Sequence, residues 1–526
     1  MKNFAHRFSY TAVVTLLTLA GLTAPAATVS AQSNLPTTPA AWSEAFKKDL
    51  QLAYQETLEN HPGTHDPHNP DFRKNLDTAR SNALALADRV KDAAGYQAAF
   101  NRFNVSLHDG HAGAQAKLPP SLTPPVRWPG FITVWRGDAL YVYASETAQP
   151  ATGARLVSCD GKPVKDLIME NVFSFKGRSD EAGHWWYLAR QALIDYGNPF
   201  VQVPTQCVFS HQGKTLTHTL NWQAANDNFD TWRLRSYNGE TLPTGLTEPR
   251  KNLLWVSMPS FQPNQAERDT LNKMTQEIAE HRERALQADA VVIDLRDNEG
   301  GSSEWSRKFA SALWGKERVN RLMQAYSPNT DVWWRASRDN TRYVHRLIKQ
   351  FKDENREDSA AWAQRHAEGM QAALDKGEYF YVESSSFKPE ATAAETTTAT
   401  GSLPADPVSL TTPVYVIVPG QCASACLDAL DIFTRFDNTK LIGSPSSADS
   451  SYMEVRIKTL PSGLARVVIP NKVYVNRARA TGQVYQPAIT VTDIDWSTGN
   501  FLKVIESDLK KSGVKKISVK TNSESN

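Results

Sequence analysis

The chain has 526 residues, 40% of them hydrophobic and 22% charged, with a formal net charge of +2. That length suits two to four domains with sizeable cores, and the composition is that of an ordinary soluble globular protein. A charge balance this close to zero argues against a strong electrostatic drive toward nucleic acid or an anionic membrane surface.

Lys2 and Arg7 precede the apolar run Thr11–Leu22, and Val29-Ser30-Ala31 offers a small-residue cleavage site. These are the parts of a secretory signal peptide over residues 1–31, too short and wrongly flanked for a permanent membrane span. No later stretch is long and apolar enough to cross a bilayer. Removing the leader takes away two positive charges and no negative one, leaving a mature chain that is about neutral. Export to the periplasm or the medium is therefore expected, and it places Cys159, Cys207, Cys422 and Cys426 in an oxidising compartment. Four cysteines allow three pairings. The most local one joins Cys159 to Cys207 and Cys422 to Cys426, with buried free thiols as the alternative, and no spacing resembles a zinc site.

After a polar linker, Trp42, Phe46, Leu50 and Tyr54 recur every four residues, the stripe of an amphipathic helix that ends near His61-Pro62. The following loop holds His61, His65 and His68, but its interleaved prolines and glycine argue against a rigid metal site. Two more helical patterns run from about Asp71 to Leu107, making residues 41–115 a small helical unit. It closes in Ser106–Gly113, where Asp109-Gly110 signals a tight turn from which His111 emerges, exposed. Imidazole is the side chain whose ordinary range lies nearest neutral pH.

Residues 125–250 read as mostly β, with an Asp160-Gly161 hairpin turn between strand-like runs in Ala154–Ile168. From Lys251 the character becomes α/β. Leu253–Met258 reads as a strand, Gln265–Ala288 as helical, and Val291–Leu295 as a buried strand that runs into Arg296–Ser302 with its glycine pair. A glycine pair between strand and helix can bring bare backbone N–H groups to a ligand. Trp305, Phe309 and Leu313 mark the next helix. Residues 319–405 look like an insertion, polar and helical over Tyr343–Ala373 and low-complexity over Ser384–Pro407, a segment whose deletion is expected to leave the fold intact.

The apolar run Val414–Val418 then reads as a buried strand broken by Pro419 and Gly420. Ser424 follows among small residues, before Cys426, Leu430 and Phe433 recur at helical spacing. Such a serine is presented to solvent beside the orphan N–H groups of the new helix, which can hold a developing oxyanion; capping that helix is the plainer role. A strand at Lys440–Ile442, a β-rich stretch at Arg466–Val475 and a last helix with a polar tail over residues 501–526 complete the chain.

Three separated motifs stand in one order and together resemble the tail-specific (C-terminal processing) serine protease family. Val291–Gly301 resembles its "vvDLRxNxGG" strand and glycine turn, and Gln421–Cys426, with CASAC around Ser424, resembles its "SASAS" nucleophile turn. Leu441–Pro445 resembles "vvGep" and Leu460–Gly463 the "LPsG" of one branch. Pro487–Val491 resembles the closing "PDIxV", with Ala488 in place of the aspartate. The Ala154–Ile168 stretch is similar to peptide-binding PDZ domains. The resemblance covers most of residues 41–495, with 319–405 as the exception.

It implies an α/β, multi-domain fold: a helical unit (41–115), a PDZ-like β-rich region (125–250) and a crotonase-like α/β core formed by 251–318 and 406–500. It also implies a peptidase that takes protein or peptide substrates through an acyl-enzyme on Ser424, with no metal or other cofactor. Many members use a lysine 25 residues after the nucleophile; here that position is Asp449. The chain is similar instead to a histidine-dependent branch with a "DGH" turn, which assigns the general base to His111, 313 positions upstream. Backbone N–H groups of Ala425 and of Gly300 or Gly301 are the expected oxyanion donors. Asp449, Glu454 and Gln483 are candidates to orient the imidazole. Two other readings fit the same residues: a binding protein that has lost its chemistry, and an esterase or amidase that keeps it.

Overall fold

Every residue of Val414–Val418 is buried, as expected of a β-branched strand covered on both faces. The computed structural model describes residues 35–384 and 408–512, and in it this strand lies inside a six-stranded sheet. The spatial order is Gly245–Arg250, Leu253–Ser257, Ala290–Asp294, Val414–Val418, Thr439–Gly443 and Ile489–Thr490. The first pair is antiparallel and the remaining pairings are parallel. Asp294 pairs with Ile417 and Val418 with Gly443, so the loops leaving three adjacent strands emerge at one edge. That edge, beyond the carboxyl ends of parallel strands, is where α/β sheets place ligands.

Alternating side chains of these strands enter two cores. Val291, Ile293, Val414 and Val416 pack with Leu271, Phe309 and Phe433 of the helices Gln265–Glu280, Glu304–Trp314 and Ala425–Phe433. On the opposite face Trp255, Val292, Tyr415 and Ile417 pack with Trp186, Trp496 and Phe501, the last from the helix Thr498–Lys511. The helical stretch expected over Gln265–Ala288 breaks at His281 into Gln265–Glu280 and Arg282–Gln287.

The first helix, Pro39–Asn60, starts with Thr38 as its cap and Pro39 in its first turn. With Phe72–Leu84 and Ala93–Leu107 it encloses Phe46, Leu76 and Phe100. These helices rest on a second sheet, of which the sequence disclosed only the β-rich stretch Arg466–Val475. Its order is Gly113–Ala116, Ala465–Val475, Asp331–Arg335 and Phe380–Ser384, with Tyr452–Thr459 also paired to Ala465–Val475. Two of its strands come from the stretch read as an insertion, so that stretch is sewn into the body. Its helices Arg338–Asp353 and Glu357–Asp375 pack Val344, Ala363 and Met370 against Val332 and Trp334. Strands of five residues between helices are too short for alternation to stand out in a sequence.

The β-rich region has the sheet Phe131–Arg136, Ala139–Ser145, Arg155–Cys159, Gln206–His211 and Lys214–Thr219. Cys159 pairs with Lys162 across Asp160 and Gly161, both at positive φ, which is the hairpin turn the sequence indicates. Helical segments within Val164–Leu193 and the helix Asp227–Asn238 make the region less uniformly β than expected. No helix among the described residues is long and apolar enough to cross a membrane. The leader expected at 1–31, the stretch 385–407 expected to be low-complexity and the tail after Ser512 lie outside the described residues.

Candidate active site

Ser424 sits where the chain passes from the strand Val414–Val418 into the helix Ala425–Phe433, with φ 54° and ψ −126°. A positive φ is costly for a residue with a Cβ, and it persists only where the surroundings enforce it. Ser424 stands at the cap position, yet its side chain makes no capping hydrogen bond. Its own N–H donates instead to Asp449 Oδ2 at 2.5 Å. A disulfide between Cys422 and Cys426 spans the turn, and Cys159–Cys207 ties two neighbouring strands of the β-rich sheet. The most local of the possible pairings is therefore the one formed. Gln421 Nε2 donates to Asn238 Oδ1, and Asn238 Nδ2 to Asp297 Oδ1, linking the serine turn to the glycine turn.

Ser424 is only 9% exposed, so the turn does not present it to open solvent as its sequence context suggests. The segment from Glu181 packs on the neighbouring stretches around Gly420 and Ser447. A Cβ on Gly183 would come within 2.5 Å of Gly420 O, and Glu181 Oε2 accepts from the Ala448 N–H at 3.0 Å. Ser447 donates to the same carboxylate at 3.1 Å and lies 3.0 Å from His184 Nε2. Neither Glu181 nor His184 was legible as a neighbour of this site, because long-range packing alone brings them there.

The glycine turn meets the serine turn directly. A Cβ on Gly300, whose φ is +111°, would lie 2.8 Å from Ser424 Cβ and 2.7 Å from Ala423 O. The Gly300 N–H is already spent on Asn298 Oδ1 at 2.9 Å, which removes Gly300 from the expected oxyanion donors. Among the described residues the N–H groups of Gly301 and Ala425 donate no hydrogen bond. Gly300→Ala is expected to cost about a hundred- to a thousandfold in kcat, comparable to loss of one oxyanion donor. Steady-state kinetics beside a circular dichroism spectrum will check it, and an active variant would show that the two turns need not touch.

His111 leaves a turn pinned from three sides. Asp109 Oδ1 accepts from the His111 N–H at 2.9 Å and from Ser450 Oγ at 2.7 Å, while Asp109 Oδ2 lies 2.8 Å from His61 Nε2. His61 Nδ1 accepts from the Gly63 N–H, so its proton is assigned to Nε2 and donates to Asp109. Burial pushes the Asp109 carboxyl up, but His61 first, with His111 and Ser450, outweighs it and holds the group below its ordinary value. His61, read first as part of a histidine-rich loop, is thus a brace for the turn. His111 itself is 7% exposed rather than open to solvent. Its Nδ1 has no hydrogen-bond partner among the described residues.

Of the three orienting candidates, Asp449 is the one that approaches both groups. It is held by the Ser424 N–H, and burial pushes its carboxyl up while the nearby His111 and Arg479 act in the other direction. Glu454 is exposed and faces Lys472 at 3.7 Å on the second sheet. The Gln483 side chain accepts from the Ala480 N–H at 3.1 Å.

Behind the serine helix, Asp428 accepts from Arg477 at 2.5 Å, Arg479 at 2.6 Å and Ser303 Oγ at 2.5 Å. Burial pushes its carboxyl up, but the two guanidinium groups outweigh that and hold it well below the usual carboxylate range. Such a depressed group contributes stability that is complete above its unfolded value, about 3.9, and is lost as pH falls toward the folded one. Melting temperature is expected to fall as pH drops below about 4, and Asp428→Asn to flatten part of that slope. An identical slope in the variant would remove this network as its source.

The geometry thus offers a strained serine free of capping duty, a buried imidazole, a carboxylate near both and two undonated N–H groups. Residues 252–489 match peptidase family S41. A comparison with curated proteins found no match. Among solved structures, mature CPAF complexed with lactacystin is similar at 13% identity and a TM-score of 0.58, over 89% of this chain and 98% of that one. A structure of mature CPAF is similar at 12% identity and 0.56, over 90% and 99%. At such identities the likeness is one of fold. The matched region carries both the glycine turn and Ser424, so the similarity to peptidase family S41 falls on the site itself.

Proposed function

We propose that the protein is exported and cleaves extended or unfolded protein segments through an acyl-enzyme on Ser424, with His111 as general base. The observation that carries this reading is the unspent Ser424 side chain at a strained cap position, followed by the undonated Ala425 N–H and touched by the glycine turn. Serine is nearly inert at neutral pH without a base, and imidazole supplies one. As Ser424 Oγ attacks the scissile carbonyl, its proton passes to His111, and the carbonyl oxygen becomes an oxyanion facing the two N–H groups. The proton is then given to the leaving amine, and water repeats the sequence to release the acyl product. Asp449 supports the imidazolium by charge. The absence of a lysine at position 449 and the DGH turn favour the histidine-dependent branch.

The β-rich region is suited to hold a substrate strand. Lys214–Thr219 is an edge strand with mostly exposed residues, and an extended peptide can add to such an edge. The leader features of residues 1–31 and the two disulfides support export. The test compares hydrolysis of an unfolded protein, the same protein folded, and a small nitrophenyl ester. Cleavage of the unfolded chain is the expected result. Ester turnover without peptide turnover would overturn it in favour of an esterase.

A further inference from the structure

A cavity of about 690 Å3 opens between the end of the helix Pro39–Asn60, Arg73 of the second helix, and the stretches around Arg335 and Tyr379. It lies among elements of the N-terminal unit and of the stretch 319–405, and the mechanism above uses none of its residues. Arg335 is 7% exposed, and its Nη1 and Nη2 donate to the carbonyls of Tyr379 and Glu59 at 3.2 and 2.9 Å. Its Nε has no partner, and no carboxylate pairs with it among the described residues. A buried guanidinium is ordinarily matched by an acid, since leaving a charge unpaired in the interior is expensive.

The two carbonyl bonds would suffice for a clamp between the helix end and the second sheet. A clamp needs no further cations, yet Arg73 and Arg338 line the same cavity. His65 stacks on Tyr379 with ring centres 3.6 Å apart, and Arg335 sits 5.5 Å over that ring. Burial first, then Arg335 and Arg73, pull the His65 imidazole down to about 4. Burial likewise pulls the Arg335 guanidinium down to about 10, with only Tyr379 acting against it.

Three acids also line the cavity: Glu59, Asp339 and Glu378. Asp339 is paired with Lys458 and Arg342. Glu59 and Glu378 are exposed, and neither acts on Arg335 or on His65. Three arginines against these two acids leave one positive charge, which suits a carboxylate better than a phosphate dianion. The volume is that of a small-molecule or short-peptide site, far more than a simple ion fills.

We propose that this cavity binds a carboxylate-bearing ligand, with Arg335 and Arg73 as its charge partners and the His65–Tyr379 stack as its flat wall. The carboxylate can come from acidic side chains of a polypeptide or from a free small acid. Calorimetric titration of the full chain with N-acetyl-tetraglutamate amide, with citrate, and with the tetraglutamine analogue tests this. Saturable binding of at least one acid probe is expected; preference for the peptide identifies a polypeptide source, and preference for citrate a small acid. Arg73→Gln, at an exposed position, is expected to weaken that binding about tenfold without shifting the melting temperature. Arg335→Lys keeps a charge but loses the planar fork, and is expected to weaken it at least as much. The proposal is overturned if neither acid saturates up to about 10 mM. Equal binding in the Arg73→Gln variant, or equal binding of tetraglutamine, overturns it as well.

Discussion

Replacing Ser424 by alanine is expected to lower kcat by about a millionfold while leaving the melting temperature unchanged. The two halves of that expectation separate a nucleophile from a helix cap. Loss of a capping hydroxyl ordinarily costs about 1 kcal/mol. Here the side chain makes no capping bond, so its removal deprives the helix of nothing. Alanine at φ 54° inherits the same backbone strain. Ser424→Gly, which relieves it, should be inactive and more stable than wild type. Turnover of an unfolded protein substrate and thermal melts of the three proteins supply the measurements. Retained activity with a drop of about 1 kcal/mol would make Ser424 a cap after all.

Asp449→Asn is expected to reduce kcat by about a thousand- to ten-thousandfold with little change in KM. Asparagine keeps the size of the side chain and an oxygen that can accept the Ser424 N–H. What it removes is the charge that faces His111. Burial raises the folded pKa of Asp449, so its ionisation works against folding. The stability it contributes is therefore present below its unfolded value and lost as pH rises through the folded one. At neutral pH the variant should accordingly melt at or above the wild-type temperature while it loses activity. Arg479 keeps two other carboxylate partners, Asp428 and Asp431, so no buried cation is stranded. Equal activity of the two proteins would remove Asp449 from the site's chemistry.

What the sequence made legible follows from how local each signal is. The strand Val414–Val418, the break at Pro419 and Gly420 and the helix behind Ser424 are encoded within twenty residues, and the structure places them as read. The glycine pair was equally visible, but not the fact that Asn298 consumes one of its N–H groups. That depends on a side-chain rotamer, which no spacing reports. The DGH turn was readable as a turn, whereas its bracing by His61 and Ser450 joins residues 48 and 341 positions away from Asp109. Burial of Ser424 and His111 was missed for the same reason, since it depends on packing between distant parts of the chain. The long strand Ala465–Val475 was read as β, but the second sheet escaped notice because its strands are drawn from three regions that the motifs keep apart.

Treatment of the folded protein with a serine-directed fluorophosphonate, beside Ser424→Ala and His111→Ala, tests the central claim most directly. The expected result is one label on the peptide that contains Ser424, absent from both variants. A label on another serine, or labelling of Ser424 that persists without His111, would contradict the assignment of nucleophile and base.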